Sequence, residues 1–119
     1  MASFKLPKGT EQEIEVRKST IQTAMKNAAL VPLEVAKSAS DMMDLVGKVI
    51  EKGNKNAVTD GAVAAMMART AILSALYNVK INLDSVKDVE FVERVGKEVV
   101  QIEEKAYNIE KALLRKVKL

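Results

Sequence analysis

From Ile14 onward, apolar side chains return every three or four positions: Ile14, Ile21, Ala24, Ala28, Val31, Val35, Met42, Leu45 and Val49, with Arg17 and Ser38 at the two polar steps. That period predicts one face of an α-helix. The stripe crosses Pro32 without changing phase. This predicts a single helix from about residue 10 to 52, kinked where the proline ring meets the Ala28 carbonyl. Two helices broken at Val31-Pro32 are the alternative, because a residue before proline is pushed toward extended backbone. Thr10 and Glu13 have the spacing of a capping box, with the Thr10 hydroxyl accepting from the Glu13 amide and the Glu13 carboxylate reaching back to the Thr10 amide. Gly53 stops the helix, and Gly53-Asn54-Lys55-Asn56 reads as a loop.

A second helix is predicted over about 57–79. Between residues 61 and 79 the only charge is Arg69. The stretch is just long enough to cross a membrane, but Arg69 near its centre would cost roughly 2.5–3.5 kcal/mol on insertion. Its small residues, Ala62, Ala64, Ala65, Ala68, Ala71, Ser74 and Ala75, suit close helix–helix approach instead. The expectation is a core helix buried on nearly all sides, with Met42-Met43 and Met66-Met67 as core filler. Asn78 to Lys87 reads as a connection, with Asp84 or Asp88 capping the next helix. That last helix is predicted over about 88–116 on the seam Val92, Val95, Val99, Ile102, Ala106, Ile109 and Leu113. Glu93, Lys97, Glu98, Glu103, Glu104 and Lys105 lie around the seam as solvated charges.

The fold class is therefore all-α, a single domain over residues 1–119. Its helices pose a covering problem. A helix of about 40 residues is about 60 Å long, whereas a compact chain of this length has a radius of gyration of about 13–14 Å. Helices of this length carry more apolar surface than one such chain hides. The expectation is a long-helix bundle completed by oligomerisation.

Composition narrows the chemistry. The chain has no cysteine and no histidine, which excludes disulfides, thiolate nucleophiles, Cys/His metal sites and histidine acid–base catalysis. No metal or cofactor is expected. Aromatics are 3% and the net charge is +3, too little for a nucleic-acid stacking platform or electrostatic footprint. The basic residues Lys105, Lys111, Arg115, Lys116 and Lys118 near the C-terminus are interleaved with Glu103, Glu104 and Glu110, and complement a helix C-terminus. Met1 to Lys8 has no apolar run of signal-peptide length, so a cytoplasmic location is expected, with neither nucleic acid nor membrane as partner.

Polar residues gather at the two ends of the second helix. Asn54 and Asn56 precede it, with Asp60 in its first turns, and Asn78 and Asn82 follow it. Amide side chains both donate and accept, so they suit a flat heterocycle edged with amide-like groups. Asp60 opens an otherwise apolar helix, and partial burial there would make it a candidate proton carrier. Equally, Asn56, Thr59 or Asp60 caps the helix and the remaining asparagines make turns. Arg69 either pairs with a carboxylate on a neighbouring helix or meets a ligand. Lys8 is either a solvated loop lysine or a grip for an anionic group.

Several strings then fall into a pattern: Phe4-Lys5-Leu6-Pro7-Lys8 with Arg17, Ala28-Ala29-Leu30-Val31-Pro32-Leu33, Gly53-Asn54-Lys55-Asn56-Ala57-Val58-Thr59-Asp60, Asn78-Val79-Lys80-Ile81-Asn82-Leu83, and Asp88. In this order the chain resembles the cyclodeaminase/cyclohydrolase family of tetrahydrofolate enzymes over roughly Phe4 to Glu104. That family carries a further helical region with a Pro-Gly-Gly-Gly stretch, which nothing here matches. The resemblance thus implies the C-terminal part of a cyclodeaminase/cyclohydrolase-like domain. It implies an all-α fold assembling at least as a dimer, with a tetrahydrofolate derivative as substrate. It also implies one of two reactions: hydrolysis of 5,10-methenyltetrahydrofolate, or ring closure of 5-formiminotetrahydrofolate with release of ammonia. On that footing Asp60 is expected to carry the proton, Asn54, Asn56, Asn78 and Asn82 to orient the pterin or water, and Lys8 or Arg69 to meet the glutamate tail. The alternative is a non-catalytic helical oligomerisation protein.

Overall fold

A computed structural model describes residues 2–53 and 55–117. A 3-10 turn at Ala2–Lys5 precedes three helices: α1, Glu11–Lys52; α2, Lys55–Leu83; and α3, Val89–Arg115. No strand occurs among the described residues. The expected Asn54 lies outside them.

Helix α1 runs through Pro32 without interruption, so of the two readings the single helix holds. Its start is a capping box displaced by one residue. The Glu13 amide donates to the Thr10 hydroxyl at 3.1 Å, but the Glu13 carboxylate accepts from the Gly9 amide at 3.0 Å rather than from that of Thr10. Gly53 ends α1, its amide donating to the Val49 carbonyl at 2.7 Å. A methyl group on Gly53 would lie 2.7 Å from that same carbonyl oxygen, so the tight reversal into α2 requires glycine there.

Helix α2 is longer than expected at both ends. It continues through Asn78 and Asn82 to Leu83, so these two asparagines are helical residues and not turn residues. Residues 77–83 hold no glycine or proline to stop the helix. The connection shrinks to residues 84–88. Asp88 caps α3, accepting from the Phe91 amide at 3.2 Å.

α2 folds back antiparallel along α1, bringing Gly61 against Ile50 at one end and Asn82 against Ala28 at the other. α3 then runs parallel to α1 along one side of the pair. The core between them comprises Ala29, Leu33, Ala36 and Met43 from α1, Ile72, Ala75, Leu76, Val79 and Leu83 from α2, Val86 from the connection, and Phe91, Val95, Val99 and Ala106 from α3. The α3 seam is thus core, as its spacing predicts. Charges beside it join the helices in register: Lys26–Asp88 at 2.8 Å, Lys37–Glu98 at 3.3 Å, Asp44–Lys105 at 3.1 Å and Glu51–Lys116 at 3.4 Å. Exposed pairs add little stability each; their row marks the edge along which α1 meets α3.

The stripe on α1 requires a correction. The helix buries Ala29, Leu33, Ala36, Ser40, Met43 and Ile50, about one position round from the expected seam. Val31, Val35, Met42, Leu45 and Val49 are all more than half exposed. Helix α2 is likewise not enclosed: 33% of its most apolar stretch is buried, and Val63, Met66 and Met67 are exposed. Of the two methionine pairs only Met43 is core. By length and composition α2 is apolar enough to cross a membrane. The cause is shared: among the described residues, a third helix covers one face of the α1/α2 pair and leaves the other bare. The molecule measures 68 × 23 × 17 Å with a radius of gyration of 19.5 Å, the elongated shape that helices of this length impose.

Candidate functional site

The bare face of the α1/α2 pair forms a groove with two concavities. The first, of about 700 Å³, is lined by Ala28, Val31, Pro32 and Val35 of α1 and by Ala71, Ser74, Ala75, Asn78 and Asn82 of α2. The second, of about 420 Å³, lies between Met42, Leu45, Val46 and Val49 of α1 and Ala57, Asp60, Gly61 and Ala64 of α2. The former lies within the range of small-molecule sites, apolar walls with a few polar groups. Small α2 residues at 71, 74 and 75 hollow it out. The α1 side chains that line it are the ones whose periodicity was legible in the sequence.

Asn78 and Asn82 stand one turn apart, so both amides reach the same concavity. Asn82 is half-buried, and its Nδ2 donates to the Ala28 carbonyl at 2.9 Å. This carbonyl is the one Pro32 leaves without its helical partner, since proline has no N–H to offer. The Ala28–Leu33 and Asn78–Leu83 strings therefore meet at one hydrogen bond. Gln22, which the sequence pattern did not single out, fastens the neighbouring connection. Its amide donates to the Ser85 carbonyl at 3.2 Å and accepts from the Lys87 amide at 2.8 Å. Lys26 adds the ion pair to Asp88, and its hydrogen bond is the main cause of the lowered Asp88 pKa. No local signal marks Gln22, because its partners lie more than sixty residues away.

Asp60 lies exposed on the rim of the second concavity, with Asn56 one turn before it in the first turns of α2. Along α2, Asp60 is about 27 Å from Asn78 and about 33 Å from Asn82. One chain therefore does not bring its candidate proton carrier to its own Asn78–Asn82 end. Arg69 faces the other way, into the α2/α3 side, where its Nε is 3.7 Å from Glu110; it follows the ion-pair reading. Lys8 is exposed ahead of α1 and lines neither concavity. Phe4 and Arg17 do come together, the guanidinium lying 5.7 Å from the ring centre. Among the described residues, no cluster of three or more Asp or Glu side chains could hold a metal ion.

Residues 1–101 match the family described as formiminotransferase-cyclodeaminase. A methenyltetrahydrofolate cyclohydrolase from Methylorubrum extorquens is 37% identical over 99 residues, covering 83% of this chain and 48% of that protein. A formimidoyltransferase-cyclodeaminase from Rattus norvegicus is 32% identical over 94 residues, covering 79% of this chain and 17% of that protein. The crystal structure of formiminotetrahydrofolate cyclodeaminase from Thermotoga maritima superposes with a TM-score of 0.79 at 27% identity, covering 97% of this chain and 55% of that one. The chain thus spans about half the length of the cyclohydrolase and less of the longer relatives. With the fold, the groove and these matches in agreement, the chain belongs to the formiminotransferase-cyclodeaminase family.

Proposed function

We propose that this chain acts in tetrahydrofolate one-carbon metabolism, as part of a site that hydrolyses 5,10-methenyltetrahydrofolate or cyclises 5-formiminotetrahydrofolate. The observation that carries the reading is the amide-edged concavity at Asn78 and Asn82, in a chain 37% identical to a methenyltetrahydrofolate cyclohydrolase. Its apolar walls suit a flat pterin, and the two amides suit the donors and acceptors along its edge.

Both reactions pass through a tetrahedral carbon between N5 and N10. In the hydrolysis, water adds to the methenyl carbon and loses a proton, and cleavage of the bond to N5 leaves the formyl group on N10. In the cyclisation, N10 attacks the formimino carbon, and the amino group leaves as ammonia after gaining a proton. A carboxylate is the natural proton carrier in a chain with no histidine or cysteine, and Asp60 is the carboxylate lining the groove. The 27 Å gap along α2 then has a consequence. A second copy packed antiparallel on the groove would set its Asp60 near the first copy's Asn78. The shared face from Ala57 to Asn82 is about 38 Å by about 20 Å, close to the roughly 800 Å² per partner of a standard interface. The site is thus read as a cytoplasmic homo-oligomer's, shared between copies.

Turnover of 5,10-methenyltetrahydrofolate and of 5-formiminotetrahydrofolate by the purified chain tests this directly. The expected result is that one of them is consumed by the wild type and that turnover falls at least about a hundredfold in Asp60→Asn. Unchanged turnover in that variant removes Asp60 from the chemistry.

A further inference from the structure

The hydrogen bond at Ala28 settles which way the Asn82 amide faces. The Ala28 carbonyl is only an acceptor, so Asn82 must present Nδ2 to it, and the 2.9 Å bond does so. Asn82 lines the 700 Å³ concavity beside Asn78, and Pro32, which frees the carbonyl, lines the same space. An unrestrained asparagine offers donor or acceptor equally. One whose Nδ2 is held by a backbone carbonyl through one N–H offers its Oδ1, and its one remaining N–H, in fixed directions.

We propose that Pro32 is a positioning residue for ligand recognition: by freeing the Ala28 carbonyl it locks Asn82 as a fixed acceptor for an N–H edge of a flat heterocycle in the groove. The ligand half of this inference rests on the folate reading above, and the donors it selects are the 2-amino and N3–H groups of a pterin. The orientation half stands on the structure alone. Helix formation did not require Pro32; an alanine there would restore the N–H and leave Asn82 without an exclusive partner.

Two measurements separate the halves. The first is the side-chain amide of Asn82 in a ¹⁵N-labelled, ligand-free protein. The wild type should show one Nδ2 proton shifted downfield by its hydrogen bond and slow to exchange with solvent, and Pro32→Ala should move that shift toward the free-asparagine value and speed its exchange. Free-asparagine shifts and fast exchange for both Nδ2 protons in the wild type, or no change in Pro32→Ala, would overturn the lock. The second is binding of pterin-6-carboxylate against lumazine-6-carboxylate, in which an oxo group replaces the 2-amino donor. The wild type should prefer the pterin by about tenfold; Asn82→Leu should abolish the preference and Pro32→Ala should weaken it. Equal losses of both probes in the variants would reduce Asn82 and Pro32 to packing and overturn the acceptor role. Failure of the wild type to bind either probe would overturn the ligand reading of the groove while leaving the amide measurement to decide the lock.

Discussion

Asn82 and Ala28, fifty-four positions apart in the chain, are joined by a 2.9 Å hydrogen bond from the Asn82 side chain to the Ala28 carbonyl. The bond repairs the helix where Pro32 breaks its ladder, and it ties the end of α2 to the middle of α1. Asn82→Ala should cost about 1 kcal/mol in the wild type, since it strands a carbonyl. Pro32→Ala should gain about 1–3 kcal/mol, because an interior proline is removed from a long helix. In the Pro32→Ala background the Asn82→Ala loss should shrink by at least half. Urea unfolding of the four proteins at one concentration measures the cycle; strict additivity of the two changes would show that the residues are not coupled.

Gly61 marks a close approach of α1 and α2. A Cβ there would lie 2.5 Å from Ile50 Cγ1 and 3.0 Å from Cδ1, and Ile50 is buried between the helices. Gly61→Ala should therefore destabilise by about 1–3 kcal/mol through overpacking, despite alanine's higher helix propensity. The pair Gly61→Ala with Ile50→Ala should lose less than the two single changes added together, measured by thermal unfolding.

The start of α3 is tied by a carboxylate. Asp88 pairs with Lys26 and caps the helix, and both interactions hold its pKa below the ordinary 3.8. A lowered folded-state pKa means stability that is present above the unfolded value and is lost as the pH falls through the folded one. The contribution should be complete at neutral pH, begin to fall near about pH 4 and be lost as the pH drops through the lowered folded value. Asp88→Asn should thus be less stable than the wild type at pH 7, and the two unfolding curves should converge at the acid end.

The bare groove predicts self-association. Val35 and Leu45 are exposed in the single chain although they sit on one apolar stripe. Val35→Lys or Leu45→Lys should leave the helix content unchanged and lower the apparent mass in sedimentation equilibrium, because a charge buried at an interface is costly. A wild type that is monomeric at all concentrations, or an assembly indifferent to both lysines, would show that this face is not the interface.

Helix number, the single passage through Pro32 and the α3 seam were readable because each depends on neighbours three or four residues away. The face that α1 buries was not. Its two apolar stripes, one through Val31 and Val35 and one through Leu33 and Ala36, differ by about one position, and only α3 decides between them. The α3 seam carries its own periodicity, but the side of α1 it covers is defined by contacts far apart in the chain, the shared core of Leu33, Ala36 and Met43 with Val95, Val99 and Ala106 and the flanking pairs Lys37–Glu98 and Asp44–Lys105, which no local pattern announces. At the candidate site the residue types were legible and their grouping was not. Asn78 and Asn82 share a concavity because α2 outlasts the expected connection. Asp60 stands apart from them because a straight helix of that length separates its ends.

Folate binding in the groove is the claim on which the proposed function turns. Calorimetric titration of 5-formyltetrahydrofolate into the wild type and into Asn82→Leu tests it most directly. Saturable binding by the wild type that is at least about tenfold weaker in Asn82→Leu is the predicted result. No binding by the wild type, or equal binding by both proteins, would contradict it.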